Sequence, residues 1–115
     1  MPIPEAQLSL TLDRVAGCII QVPLKLGLTV VDELGSQCGA AIADPDEKFV
    51  EFFVTDDPVD WPDGVLLPAV DWMLIPADRR RRPPGRHWAH WTPRRERTMP
   101  ADVLAAAIRT VGGPS

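Results

Sequence analysis

Phe49-Val50-Glu51-Phe52-Phe53-Val54-Thr55 is the stretch that decides how the rest of this chain is arranged. It is rich in β-branched and aromatic residues, and its side chains alternate between two faces. Val50, Phe52 and Val54 point one way while Phe49, Glu51 and Phe53 point the other, so both faces are at least partly covered. The pattern predicts a central strand. Asp44-Pro45-Asp46-Glu47-Lys48, just before it, is a polar turn with Pro45 preset for the second position. Further back, Gly39-Ala40-Ala41-Ile42-Ala43 reads as a small-residue strand across which something bulky should lie.

Upstream, Gly17-Cys18-Ile19-Ile20-Gln21-Val22 is a short β-branched strand ended by Pro23. Pro23 suits the first turn of a helix whose apolar stripe is Leu24, Leu28, Val31 and Leu34, with Gly35 as its stop. Leu8, Leu10 and Leu12 fit a half-buried strand, while Leu8, Leu12, Val15 and Ile19 fit a helix, and periodicity does not choose between them. Downstream, Val65-Leu66-Leu67 and Trp72-Met73-Leu74-Ile75 read as buried strands, and His87-Trp88-Ala89-His90-Trp91 as the return strand of a hairpin with Trp72–Ile75. The chain from 92 to 99 is charged and extended. Pro100 opens a last helix with Leu104, Ala107, Ile108 and Val111 on its apolar face. The expected architecture is a small two-layer α+β domain: a mostly antiparallel sheet of about five or six strands with two helices on one face. Its 115 residues suit one domain, with 1–7 and 112–115 as flexible tails.

Charge is distributed unevenly. Residues 79–97 hold eight arginines against the single acid Glu96, a net +7, which leaves −11 for the remainder of a chain whose total is −4. All four tryptophans fall between 61 and 91, around the run Arg79-Arg80-Arg81-Arg82. Guanidinium groups grip phosphate or carboxylate in bidentate fashion and indole rings stack on bases, so this pattern fits a surface for an anion or a single strand. Two plainer readings stand beside it. In one the arginines form a solvated loop tip and the tryptophans are core; in the other the run pairs with the acidic 56–63 loop, in the same chain or a neighbour.

Other chemistries lack support in the pattern. His87 and His90 are three apart, which puts them on opposite faces of a strand and makes a poor metal pair. Asp44 and Asp46, then Asp56, Asp57, Asp60 and Asp63, sit in Pro- and Gly-broken loops where turn chemistry accounts for them. Ser9 and Ser36 lack a nucleophile motif, and phosphate-cradling glycine loops are missing. Cys18 and Cys38 show no paired spacing and read as buried thiols. No signal peptide or membrane span is evident, so a cytoplasmic protein without a cofactor is expected.

Residues 18–27 (Cys18-Ile19-Ile20-Gln21-Val22-Pro23-Leu24-Lys25-Leu26-Gly27), residues 49–54, Trp72-Met73-Leu74-Ile75-Pro76 and Pro83-Pro84-Gly85-Arg86-His87-Trp88 resemble short uncharacterised proteins of high-GC Gram-positive bacteria. The segment from about Gly39 to Trp91 is also similar to the later half of bifunctional primase-polymerase domains, through Gly64-Val65, Leu74-Ile75-Pro76 and the return from Gly85 to Trp88. The acidic metal pair of that family has no clear counterpart, and Lys48 stands at about the place of its catalytic histidine. What this resemblance implies is a fold able to bind nucleotide or nucleic acid without catalysis.

Together these readings point to a non-enzymatic accessory or regulatory module. It would bind a macromolecular partner, a protein or a second copy, through the basic hairpin, with Arg79, Arg80, Arg81, Arg82, Arg86, His87, Trp88 and Trp91 as contacts. The alternative is a nucleotide or single-stranded nucleic-acid binder, distinguished by steep salt dependence and by tryptophan quenching with oligonucleotides.

Overall fold

Residues 49–54 take the inner position that their two-faced pattern requires. The computed structural model describes residues 10–14, 17–68, 72–93 and 96–112. In chain order the elements are β1 (Leu10–Arg14), β2 (Cys18–Pro23), α1 (Leu24–Leu34), a 3-10 turn (Gly35–Gln37), β3 (Ala41–Asp44), β4 (Phe49–Val54), β5 (Trp72–Pro76), β6 (His87–His90) and α2 (Ala101–Gly112). Strands β2, β4, β3 and β6 form, in that order, a four-stranded antiparallel sheet. Strand β1 pairs with β5 in a separate antiparallel ribbon. The fold is α+β with both helices packed on one face of the main sheet.

Two apolar layers hold it together. On the helical side, Ile20, Val22, Val50, Phe52 and Val54 of the sheet meet Val30, Val31 and Leu34 of α1 and Leu104, Ala107 and Ile108 of α2. On the other side, Ile19, Ile42 and Phe53 meet Met73 and Ile75 of the ribbon, with Trp88 in the same cluster. Strand β3 is buried at every position, as expected of small residues enclosed on both faces. Trp88 is only 1% exposed and donates its indole N–H to the carbonyl of Pro76 at 3.0 Å. Removing an indole from water withdraws about 200 Å² of surface, roughly 5 kcal/mol at 25 cal/mol/Å², so this residue is a main anchor of the second layer.

The turn before β4 closes as its residues dictate. The amide of Lys48 donates to the carbonyl of Asp44 at 2.8 Å, and the amide of Glu47 donates to the Asp44 carboxylate at 3.1 Å. Helix α1 begins after Pro23 and ends at Gly35, whose φ of 53° is the left-handed conformation glycine adopts without cost. At the start of α2 the amide of Ala101 donates to the hydroxyl of Thr55, so the end of β4 caps the helix that covers it.

Four expectations are corrected. Residues 72–75 and 87–91 do not form a hairpin: β5 pairs with β1 and β6 pairs with β3, in different sheets. Val65–Leu67 is not a buried strand; Leu66 and Leu67 are 63% and 55% exposed, and Leu66 makes a single bridge to Gln21. The buried stripe of α1 is Gly27, Val30, Val31 and Leu34, while Leu28 is exposed. The cause is close approach: a Cβ on Gly27 would lie 2.6 Å from Cβ of Val50, so the helix lies on β4 through its bare glycine. Cys18, expected to be buried, is half-exposed, whereas Cys38 is buried. Of the two periodicities open around Leu10 and Leu12, the strand is the one formed, and Leu8 lies outside the described residues.

Candidate anion-binding surface

The segment that leaves β5 folds back on its own carbonyls before entering β6. The amide of Arg80 donates to the carbonyl of Ala77 at 2.9 Å, and the amide of Trp88 to that of Arg80 at 2.7 Å. Side chains follow the same habit: Nε of Arg81 donates to the carbonyl of Asp78 at 3.0 Å, and Nη2 of Arg80 to that of Pro84. The guanidinium of Arg81 also lies over the half-buried ring of Trp91, 5.1 Å from its centroid, a cation–π contact worth about 0.5–1 kcal/mol where exposed. Two of the four arginines are thus held in place by the loop itself.

Arg79, Arg80, Arg81 and Arg82 line one open depression of about 240 Å³. Arg79, Arg81 and Arg82 are exposed and Arg80 is half-buried. Among the described residues none of the four meets a carboxylate. Arg80 Nε, Trp91 Nε1 and the hydroxyl of Thr92 are buried without a hydrogen-bond partner among the described residues. Native interiors leave few such groups, so their gathering in one short region sets it apart from the rest of the fold. Arg94 and Arg95 lie outside the described residues.

The acidic 56–63 loop does not neutralise this run. Asp56 accepts from the thiol of Cys18 at 3.4 Å, Asp57 accepts from Thr55, and the backbone carbonyl of Asp60 accepts from Arg109. Pairing of the two loops within one chain is therefore not seen among the described residues.

Arg86, His87 and Trp88, grouped with the run by sequence, do not line that depression. Arg86 Nη1 meets Asp44 at 3.1 Å, Nη2 meets Glu51 at 2.5 Å, and Nε donates to the carbonyl of Leu74 at 3.0 Å. Glu51 accepts a further bond from Gln21 at 3.1 Å. Asp44 and Glu51 are only 7% and 5% exposed. The cluster floors a second depression of about 280 Å³ walled by Trp72 and Leu74, but its one guanidinium is taken up by two carboxylates, which leaves it net negative and no seat for an anion. It clamps the ribbon to the main sheet. His87 is buried with Nδ1 2.8 Å from the carbonyl of Gly85, and His90 Nδ1 is 3.0 Å from that of Gly39. A carbonyl only accepts, so each ring donates from Nδ1. Trp88 is core, with Arg97 stacked over it at 4.8 Å.

Reactive groups are scarce. Burial pushes the Cys38 thiol up to about 12. Burial also raises that of Cys18, helped by its hydrogen bond to Asp56 and by that carboxylate's charge. Neither supplies a thiolate near neutral pH. Among the described residues no three His, Cys, Asp or Glu side chains converge as metal ligands, and no helix is long and apolar enough to cross a membrane.

The sequence did not reveal the Asp44–Glu51–Arg86 clamp, although it carried a signal. Glu51 is the one charge in a strand otherwise wholly apolar, and a buried carboxylate requires a counter-charge. No family model, no curated protein and no solved structure matches the chain, so its chemistry is read from these contacts alone.

Proposed function

We propose that this protein is a non-enzymatic binding module that captures an anionic macromolecular partner through the loop Arg79–Arg82, with Trp91 as its aromatic brace. One observation carries the reading: four guanidinium groups line a single depression and none meets a carboxylate among the described residues. Arginine and tryptophan are the residues that dominate binding hot spots, and a guanidinium fork matches carboxylate or phosphate oxygens in pairs. Charge-assisted hydrogen bonds contribute about 1.5–3 kcal/mol each, so three of them give roughly 4.5–9 kcal/mol, a range from millimolar to micromolar capture. Arg86, His87 and Trp88 support the surface from behind instead of touching the partner.

A long nucleic-acid track is the weaker reading. Outside residues 79–97 the chain carries a net −11, which repels a polyanion that extends beyond the loop. The test is titration with a hexaglutamate peptide at low and moderate salt, read by tryptophan fluorescence. Wild type is expected to bind with an affinity that falls as salt rises. The double variant Arg79→Ser, Arg82→Ser should lose binding while its Tm moves by no more than a few degrees, because both side chains are exposed. Equal binding by wild type and variant would refute the proposal, as would failure of every anionic probe to bind.

A further inference from the structure

We infer that the group seated in the Arg79–Arg82 depression is a phosphomonoester dianion, carried by a partner's side chain or by a small phosphate compound. This rests on the reading of the loop as an anion-binding surface and narrows it to one chemistry. Three observations lead there.

Charge density comes first. Four consecutive arginines place four positive charges around one depression with no carboxylate among the described residues. A phosphomonoester brings about two negative charges and three strong acceptor oxygens to a single tetrahedral centre. A carboxylate brings one charge and two oxygens, and the phosphodiester of a nucleic-acid backbone brings one charge per nucleotide. The monoester therefore offsets the most charge in the least space.

Size is the second. The depression of about 240 Å³ is small and open to solvent on one side. Its four guanidinium groups surround one phosphoryl group and a few atoms of its ester, while anything larger extends into solvent beyond their reach.

Preorganisation is the third. Arg80 and Arg81 are tied to the carbonyls of Pro84 and Asp78, and Arg81 rests on Trp91. Each keeps further N–H groups, since guanidinium has five donors. Fixing two long side chains before the ligand arrives lowers the entropy that binding must overcome. Arg79 and Arg82, exposed at the two ends of the run, complete the grip.

The test compares four probes on the full chain by calorimetry and by tryptophan fluorescence: a phosphoserine hexapeptide, the same peptide with glutamate in place of phosphoserine, the small monoester glycerol phosphate, and a single-stranded oligonucleotide with hydroxyl ends. The phosphoserine peptide or glycerol phosphate should bind at least tenfold more tightly than the glutamate peptide and the oligonucleotide. Binding of both compounds, or of either alone, supports the inference and identifies the source of the group. The variant Arg79→Lys, Arg82→Lys keeps the charge but lacks the fork, and should lose most of that preference without a change in Tm. Equal affinity for the phosphoserine and glutamate peptides would overturn the inference while leaving the anion-binding reading intact. Preference for the oligonucleotide would also overturn it, in favour of a nucleic-acid surface. Binding by none of the four would remove both.

Discussion

Replacing Arg86 by methionine separates the arginine that holds the fold from those that face solvent. Methionine keeps much of the apolar stem and its packing, so what disappears is the guanidinium. Asp44 and Glu51 then remain at 7% and 5% exposure without a counter-charge, and the carbonyl of Leu74 loses its donor. Removing one partner of a buried ion pair costs about 3–5 kcal/mol, because the remaining charge is left desolvated. Against a total stability of about 5–15 kcal/mol, that is a large fraction. At roughly 4 °C or more per kcal/mol for a domain near this size, Tm should fall by on the order of 12–20 °C. Urea unfolding followed by tryptophan fluorescence measures the loss. The triple variant Arg86→Met, Asp44→Asn, Glu51→Gln removes the stranded charges and should recover more than half of it. A single variant within about 1 kcal/mol of wild type would refute the clamp. A triple variant no better than the single would show that the penalty does not come from stranded charge.

Two further outcomes follow from the packing. Gly27→Ala should destabilise the protein by about 1–3 kcal/mol despite alanine's better helix propensity, because the new methyl would sit 2.6 Å from Cβ of Val50; a rise in Tm would mean that α1 does not lie this close to β4. Alkaline pH should weaken the fold through Cys38. The unfolded thiol loses its proton near 9.0 and the folded one at about 12, so the folded state binds more protons and stability falls as pH rises between those values, by at most about 1.4 kcal/mol per pH unit. The slope should be shallower in Cys38→Ala, measured by urea unfolding from pH 9 to 11, and an unchanged slope would place the thiol elsewhere.

Local patterns in the sequence were readable wherever local physics decides. The inner strand β4 followed from its two-faced alternation, the Asp44–Lys48 turn from proline and aspartate, and the end of α1 from Gly35. Choices among distant partners were not readable. The apolar run of β5 does not by itself name its partner; it pairs with β1 and places Met73 and Ile75 in the cluster that holds Trp88. The face of α1 was misplaced because hydrophobic periodicity gives glycine no weight, whereas close contact with Val50 gives Gly27 the central place. At the basic segment the difficulty is chemical identity, since five arginines of the same type do two different jobs. Arg86 stands just before β6, two residues ahead of the buried Trp88, and that period-two spacing was the available sign that it turns inward. Nothing in the composition could show that Arg79–Arg82 would lie away from the acidic loop.

The central claim is that one arginine is enclosed while Arg79 and Arg82 face solvent ready for an anion. Solvent exchange of the arginine side-chain NεH protons, followed by NMR before and after adding pyrophosphate, tests it most directly. The Arg86 signal should be protected throughout, held by the carbonyl of Leu74, while those of Arg79 and Arg82 exchange fast alone and slow when pyrophosphate is added. Fast exchange at Arg86, or protection of Arg79 and Arg82 in the free protein, would contradict the account.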